Sequence, residues 1–159
     1  MPIRISPLAL LVLALLVTGC DQGTKRWAER RLSDSPITLV SGRFELAHHE
    51  NRGMAFNTER VLPSAVRLPL ILIAGVVLVG ILSVAWYRRR HEVSAWTAGY
   101  ALVLGGAAGN LIDRGVRGHV VDFIHLHGWP VFNVADIAIA VGGALLVLAS
   151  WRSKSTSPG

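Results

Sequence analysis

Four long apolar stretches limit what this chain of 159 residues can fold into. They run over about residues 5–27, 68–87, 93–112 and 131–151. A helix needs roughly 20 apolar residues to cross the hydrocarbon of a bilayer. Only 16% of the residues are charged, whereas soluble domains have ~25%. The sequence therefore predicts an all-α membrane protein with four transmembrane helices.

The basic residues flank these stretches and indicate an orientation. The net charge is +6, but residues placed at the ends of spans argue against nucleic-acid binding. Arg88–Arg90 follows the second span, and Arg152 and Lys154 follow the fourth; the positive-inside rule puts such clusters in the cytoplasm. The segment from Lys25 to Arg67 holds eight further Lys or Arg, so charge counting alone leaves the orientation open. The arginine triplet favours both termini inside.

The N-terminus has two interpretations. Leu16–Cys20 reads LVTGC and is similar to a lipobox, the site at which a lipoprotein signal is removed, so the chain could itself be a lipoprotein processed at Cys20. The alternative is a retained first helix. We favour the retained helix, because the chain already carries three more spans and needs no lipid anchor.

The polar segments between the spans predict a small β-rich platform. Ile37–Val40 and Arg43–Leu46 are β-prone and flank a Ser-Gly pair, which indicates a hairpin. We expect a turn at His48–Gly53 and a short interfacial helix at Glu59–Arg67. Val120–Leu126 roughly alternates apolar and polar residues, which predicts an extended segment. Irregular backbone at this depth must be buried in protein or line a wet cavity.

Three aspartates lie in or beside the apolar stretches, where an unpaired carboxylate is costly. Asp136 lies one turn into the fourth span and is the strongest functional candidate; the alternative is an ion pair with Arg114 or Arg117. Its partner is either Asp113 or Asp122, and the apolar neighbours of Asp122 would raise its pKa. Two carboxylates that share a proton can serve as base and acid in hydrolysis. The sequence therefore predicts a membrane-embedded aspartic protease.

Two asparagines precede two of these aspartates by three residues. Asn110 and Asn133 would share a helix face with Asp113 and Asp136, where each could orient its aspartate or bind the same ligand. The run Gly105–Gly109 lets another backbone approach closely. Simple helix packing explains that run as well as a functional role does.

Other chemistries have weaker support. A metal site could combine Asp122 with histidines, but His-x-His spacing in a loop without an HExxH motif is a weak signal. The histidines concerned are His48, His49, His119, His125 and His127. A transporter that uses Asp136 as an ion or proton carrier should show broken, repeated helices near the midplane. A non-enzymatic assembly factor would tolerate Asp→Asn changes.

Five blocks of the sequence resemble signal peptidase II, the lipoprotein signal peptidase family of bacterial membrane aspartic proteases. The blocks are Asp21–Lys25, Asn51–Phe56, Gly105–Arg114, Gly118–Ile124 and Phe132–Asp136. One block is a modest signal, but five in the family's order are specific. The chain departs from the family's usual residues at two positions in a substrate-facing loop, Met54 and Asn57.

The resemblance implies the architecture and location of one peptidase domain over residues 1–152. This domain would have four transmembrane helices, a periplasmic β-cradle and a short amphipathic helix. The periplasmic parts would cover about 28–67 and 113–130, and residues 153–159 would form a polar cytoplasmic tail. The protein would lie in the bacterial cytoplasmic (inner) membrane with both termini inside and its active site near the periplasmic face.

The resemblance also implies the site and its substrate. Asp122 and Asp136 would be the catalytic dyad. Eight residues would bind substrate or support the site: Asn51, Gly53, Asn110, Asp113, Arg114, Asn133, Asp21 and Lys25. The substrate would be a diacylglyceryl prolipoprotein, cleaved before its lipidated cysteine. The expected partners are this substrate and membrane lipid, without nucleic acid. The protein would be a monomer that needs no metal or organic cofactor.

Overall fold

Over the residues that the structure describes, the fold consists of four long helices and one small sheet. The structure, a computed structural model, describes residues 7–52, 64–89 and 94–155. In chain order the elements are α1 (Pro7–Arg31), β1 (Ile37–Val40), β2 (Phe44–Asn51), α2 (Ser64–Arg89), α3 (Ser94–Arg117), β3 (Val120–Leu126) and α4 (Val134–Ser155). Gly53, Met54 and Asn57 lie outside the described residues, as does most of the interfacial helix predicted at Glu59–Arg67.

Three helices in the described ranges are long and apolar enough to cross a membrane. These spans are Leu8–Arg31 in α1, Pro69–Arg88 in α2 and Val134–Trp151 in α4. The helix α1 runs without a break through Cys20, as the retained-helix interpretation requires. The helix α3 is not among the three, since glycines, alanines and polar residues dilute its apolar character. The fourth crossing therefore stays a prediction.

The helix α3 is the central helix and packs against α1, α2 and α4. Its glycines explain how closely the other helices approach. A Cβ on Gly106 would lie 2.5 Å from the carbonyl oxygen of Ala135, and one on Gly105 would lie 2.7 Å from that of Ala14. Both distances are too short for any side chain, so the predicted packing role of this glycine run is confirmed.

The three strands form one antiparallel sheet in the order β1-β2-β3. The predicted hairpin is confirmed, and Gly42 occupies its turn with a φ of 68°. The extended segment at Val120–Leu126 is also confirmed. The turn expected at His48–Gly53 is wrong over residues 48–51, because β2 continues to Asn51. The longer strand gains main-chain partners in β3, with His49 opposite Asp122 and Asn51 opposite Val120.

The sheet is attached to the bundle at the end of α1. Phe123 of β3 is buried against Ala28 and Leu32, and its ring meets Trp27 edge-on at a centroid distance of 6.5 Å. Successive side chains of a strand point to opposite faces. The contact of Phe123 with α1 therefore turns the neighbouring Asp122 away from α1.

Candidate active site

The site begins at the first turn of α4, where Asn133 and Asp136 bond to each other's backbone. The side-chain oxygen of Asn133 accepts a hydrogen bond from the Asp136 N–H at 3.0 Å, and the Asp136 carboxylate accepts one from the Asn133 N–H at 3.2 Å. This reciprocal pair is a capping box. Asn133 does orient Asp136, but by capping α4 from the residue before it, not by sharing a helix face.

Asp122 reaches the same place from β3 and is almost fully buried. The Asn133 side-chain amide donates to its Oδ1 at 2.6 Å, and the Asn51 amide donates to its Oδ2 at 2.9 Å. Burial, opposed by the Asn51 amide and reinforced by the nearby charge of Asp136, raises the pKa of Asp122 to about 6. A carboxyl group with this pKa is half protonated at about pH 6, where an ordinary aspartic acid is almost entirely ionised.

One asparagine thus joins the two carboxylates. Asn133 donates to Asp122 through its side chain and to Asp136 through its backbone. Asn110 of α3 adds a bond from its Nδ2 to Asp136 Oδ1 at 2.9 Å. Each carboxylate therefore receives two N–H donors that hold its oxygens in place. The arrangement provides two adjacent, oriented carboxyl groups, which acid–base chemistry on a bound water requires.

Asn110 does not serve Asp113, its neighbour in the sequence motif. Its Oδ1 accepts from the Lys25 ammonium at 2.9 Å and from the Asn133 amide at 3.2 Å, while its Nδ2 points to Asp136. Of the two roles predicted for each asparagine, orienting the aspartate three residues later is therefore wrong for this first pair, and binding a shared ligand stays a prediction. Tertiary packing gives Asn110 a partner on another helix.

A buried charge cluster lies next to this site and contacts it through Asn110. Lys25 has no exposed surface, and its Nζ lies 2.8 Å from Asp21 Oδ2 and 2.8 Å from Asp113 Oδ2. Gly109 faces this cluster, and a Cβ there would collide with the Asp21 carboxylate. The structure thus places the three predicted supporting residues Asp21, Lys25 and Asp113 together. They bond to residues that contact or directly precede Asp122 and Asp136.

Asp113 has further partners that sequence reasoning missed. Gln22 donates to its Oδ1 at 2.7 Å, and the Arg117 guanidinium lies 2.5 Å from the same oxygen. Arg117 also pairs with Glu29 at 2.9 Å. The i,i+4 spacing of Asp113 and Arg117 was a signal for their ion pair. For Gln22 the only signal was its position inside the Asp21–Lys25 block.

Arg114 is placed differently from Arg117. Its guanidinium lies within electrostatic range of Asp122, Asp136 and Asp113, yet its hydrogen bond goes to the Asn110 carbonyl oxygen at 3.3 Å. In the part of the chain that the structure describes, neither Arg114 nor Arg117 forms an ion pair with Asp136. The simple ion-pair explanation of Asp136 is therefore not what the described residues adopt.

The histidines lie mostly along the sheet. The ring of His49 meets that of His125 at a centroid distance of 6.2 Å, and His125 and His119 lie 3.5 Å and 3.9 Å from Glu45 and Glu50. Across residues 7–52, 64–89 and 94–155, no three His, Cys, Asp or Glu side chains are grouped to hold a metal ion. His49, His119 and His125 instead lie against acidic residues or against each other.

Fold and site together define a helical membrane protein that holds two carboxyl groups, one from a strand and one from a helix, around a shared asparagine. The family model for Signal peptidase (SPase) II matches residues 13–152. The chain belongs to the signal peptidase II family, and the resemblance seen in the five sequence blocks is confirmed.

Individual relatives are similar in sequence to this chain over most of their length. A protein named lipoprotein signal peptidase from Pseudomonas putida is 41% identical over 160 residues, covering 96% of this chain and 92% of its own. The protein of that name from Syntrophotalea carbinolica is 40% identical over 154 residues, covering 90% and 91%. Two solved structures, each titled a bacterial membrane enzyme, share this fold with TM-scores of 0.82 and 0.79. Both are 24% identical to this chain, and the first covers 99% of it and 96% of its own chain.

Proposed function

We propose that this protein is a membrane aspartic endopeptidase that removes signal peptides from diacylglyceryl prolipoproteins. Membership of the signal peptidase II family supports the removal of signal peptides from lipoproteins. The observation that carries the aspartic mechanism is the pair of hydrogen bonds by which Asn133 joins the two carboxylates, one to Asp122 and one to Asp136. Cleavage would fall on the N-terminal side of the lipidated cysteine.

The surroundings of the two carboxyl groups suggest how they divide the work. Asp136 lies in the first turn of α4, where the helix dipole favours negative charge, so we assign it the role of base. Asp122, with a pKa of about 6, carries the proton. Asp136 takes a proton from water as the water oxygen bonds to the scissile carbonyl carbon. Asp122 then gives its proton to the departing amine as the C–N bond breaks.

Substrate contacts are proposed for residues at the rim of the pair. Asn51 is an exposed residue at the end of β2 and reaches Asp122 with its amide, so a bound peptide would lie against it. The Arg114 guanidinium can bind a peptide carbonyl or a lipid ester oxygen. Gly53 is proposed, from the family resemblance alone, to bind substrate or support the site. No metal or organic cofactor has a part in this reaction.

The membrane arrangement is part of the proposal. Four crossings, including α3, would place both termini in the cytoplasm and the sheet with its site at the periplasmic face of the inner membrane. The large apolar side chains exposed along α1, α2 and α4 support a lipid surround. The diacylglycerol of the substrate would stay in hydrocarbon while the scissile bond reaches the site. A monomer contains all the residues named, and nucleic acid has no role.

The test is cleavage of a synthetic diacylglyceryl precursor peptide by purified protein in detergent or nanodiscs. Asp122→Asn and Asp136→Asn should each abolish cleavage while circular dichroism and the unfolding temperature stay near those of the parent. Asp34→Asn, which changes an exposed aspartate between α1 and β1, is the matched control and should cleave normally. Ordinary turnover by either folded dyad variant would refute the aspartic mechanism.

A further inference from the structure

Lys25 uses all three of its N–H donors inside the protein. Its ammonium group is fully buried and binds Asp21 at 2.8 Å, Asp113 at 2.8 Å and Asn110 at 2.9 Å. An ammonium group has three donors and no acceptor, so none is left for a ligand. Since Lys25 also has no exposed surface, it cannot touch a substrate. Any role in the reaction must act through these three partners or through the electrostatic effect of its charge.

Each carboxylate bound by Lys25 also holds the backbone next to one of the two site aspartates. Asp21 accepts from the N–H of Ala135 at 2.9 Å, and Ala135 directly precedes Asp136. Asp113 accepts from the N–H of Val121 at 3.3 Å, and Val121 directly precedes Asp122. One carboxylate therefore fixes the start of α4, and the other fixes β3.

The third partner of Lys25 reaches the pair through a side chain. With its oxygen turned to the ammonium, Asn110 can only present its amide nitrogen to Asp136, to which it donates at 2.9 Å. Without the cation, that orientation loses its cause. Asp21 and Asp113, the latter still paired with Arg117, would also be left as two buried carboxylates without the cation that lies between them, and these would repel each other.

We propose that Lys25 is a positioning residue that sets the separation and orientation of Asp122 and Asp136. The inference rests on the peptidase function proposed above. Lys25 binds both Asp21, which holds the start of α4, and Asp113, which holds β3. Along the chain, β3 and α4 are joined by the loop between them. A change at Lys25 should therefore lower kcat and leave KM nearly unchanged, because substrate binding does not involve it.

The first test compares Lys25→Met with Arg26→Met, which removes an exposed cation from the next position of α1. A displacement of about 1 Å in a catalytic group costs about 100-fold in rate, so kcat should fall by about that factor while KM changes less than about threefold. Arg26→Met should keep both constants. The charge of Lys25 lowers the pKa of Asp122, so the pH–rate limb that depends on Asp122 should also move to higher pH.

A second variant guards against misfolding. Asp21→Asn/Lys25→Met/Asp113→Asn removes all three charges but keeps an oxygen acceptor for each of the two backbone N–H groups. This triple variant should fold, as judged by its unfolding temperature, and still show the reduced kcat. A folded triple variant with parental kcat would overturn the proposal. Failure of both Lys25 variants to fold would also overturn it, because Lys25 would then act on folding alone.

These outcomes are separable from a failure of the proposed function. If Asp122→Asn and Asp136→Asn are inactive while the Lys25 variants are fully active, only the positioning role is lost. If the folded aspartate variants still cleave, the aspartic mechanism itself fails, whatever the Lys25 variants do.

Discussion

Replacing Asn133 tests the geometry of the site most directly, because one side chain both caps α4 and binds Asp122. Asn133→Ser keeps an oxygen that can cap the helix but loses the 2.6 Å bond to Asp122. Asn133→Ala loses both. The difference in unfolding free energy between the two variants should therefore be about 1 kcal/mol, the value of a helix N-cap.

The hydrogen bond from Asn133 to Asp122 gives the second part of the expected loss in unfolding free energy. Leaving a buried acceptor without its donor costs about 1–3 kcal/mol, so Asn133→Ser should lose about that much stability relative to the parent. Asn133→Ala should lose about 2–4 kcal/mol when the N-cap is added. Chemical or thermal unfolding in the same detergent would measure both values.

Asn133→Ser and Asn133→Ala should also change the activity, in a way that the loss of stability does not explain. The Asn133 amide lowers the pKa of Asp122, so both variants should shift the pH limb set by Asp122 above about 6. Cleavage of the diacylglyceryl peptide as a function of pH is the assay. If folded Asn133→Ser keeps the parental kcat and pH profile, the idea that Asn133 holds the two carboxylates in working geometry is wrong.

Three further outcomes are expected. The pKa of Asp122 is about 6 in the folded protein against an ordinary 3.8, so the native state holds this proton more tightly than the unfolded state does. The contribution of Asp122 to the free energy of unfolding should therefore fall as pH rises from 3.8 to about 6. Asp122→Asn should remove this pH dependence. Gly109→Ala should destabilise by about 1–3 kcal/mol through collision with Asp21, whereas Gly115→Ala, at a position with open space in the same helix, should not; unfolding temperatures would show the contrast. Cleavage should be unchanged by EDTA or by phenanthroline, and loss of activity that zinc restores would revive the metal alternative.

The buried cluster gives a physical reason why the predicted supporting residues Asp21, Lys25 and Asp113 are charged although they are buried. Asp21, Lys25 and Asp113 come from two helices and satisfy backbone groups at the beginnings of a third helix and of a strand. A buried ion pair stabilises little by itself. In this protein its two carboxylates also hold the backbone N–H groups of Ala135 and Val121, the residues directly before Asp136 and Asp122.

The sequence by itself determined the elements that depend on local pattern. Apolar runs predicted the long helices, β-prone residues around Ser-Gly predicted the hairpin, and alternation predicted β3. These signals are local, because hydropathy and turn chemistry act over a few residues. The same logic failed at His48–Asn51, where pairing with β3 overrides turn-like composition.

Only the tertiary structure decided which side chains meet. The residues alone left the choice between Asp113 and Asp122 as the partner of Asp136 open, and only the family resemblance implied Asp122, because distance along the chain does not determine distance in space. Packing of β3 against α1 turns Asp122 toward the start of α4, while Asp113 is drawn to Lys25. The physical reason is that a buried charge takes whichever partner the folded backbone brings within hydrogen-bond reach, and the helices and sheet fix that choice jointly.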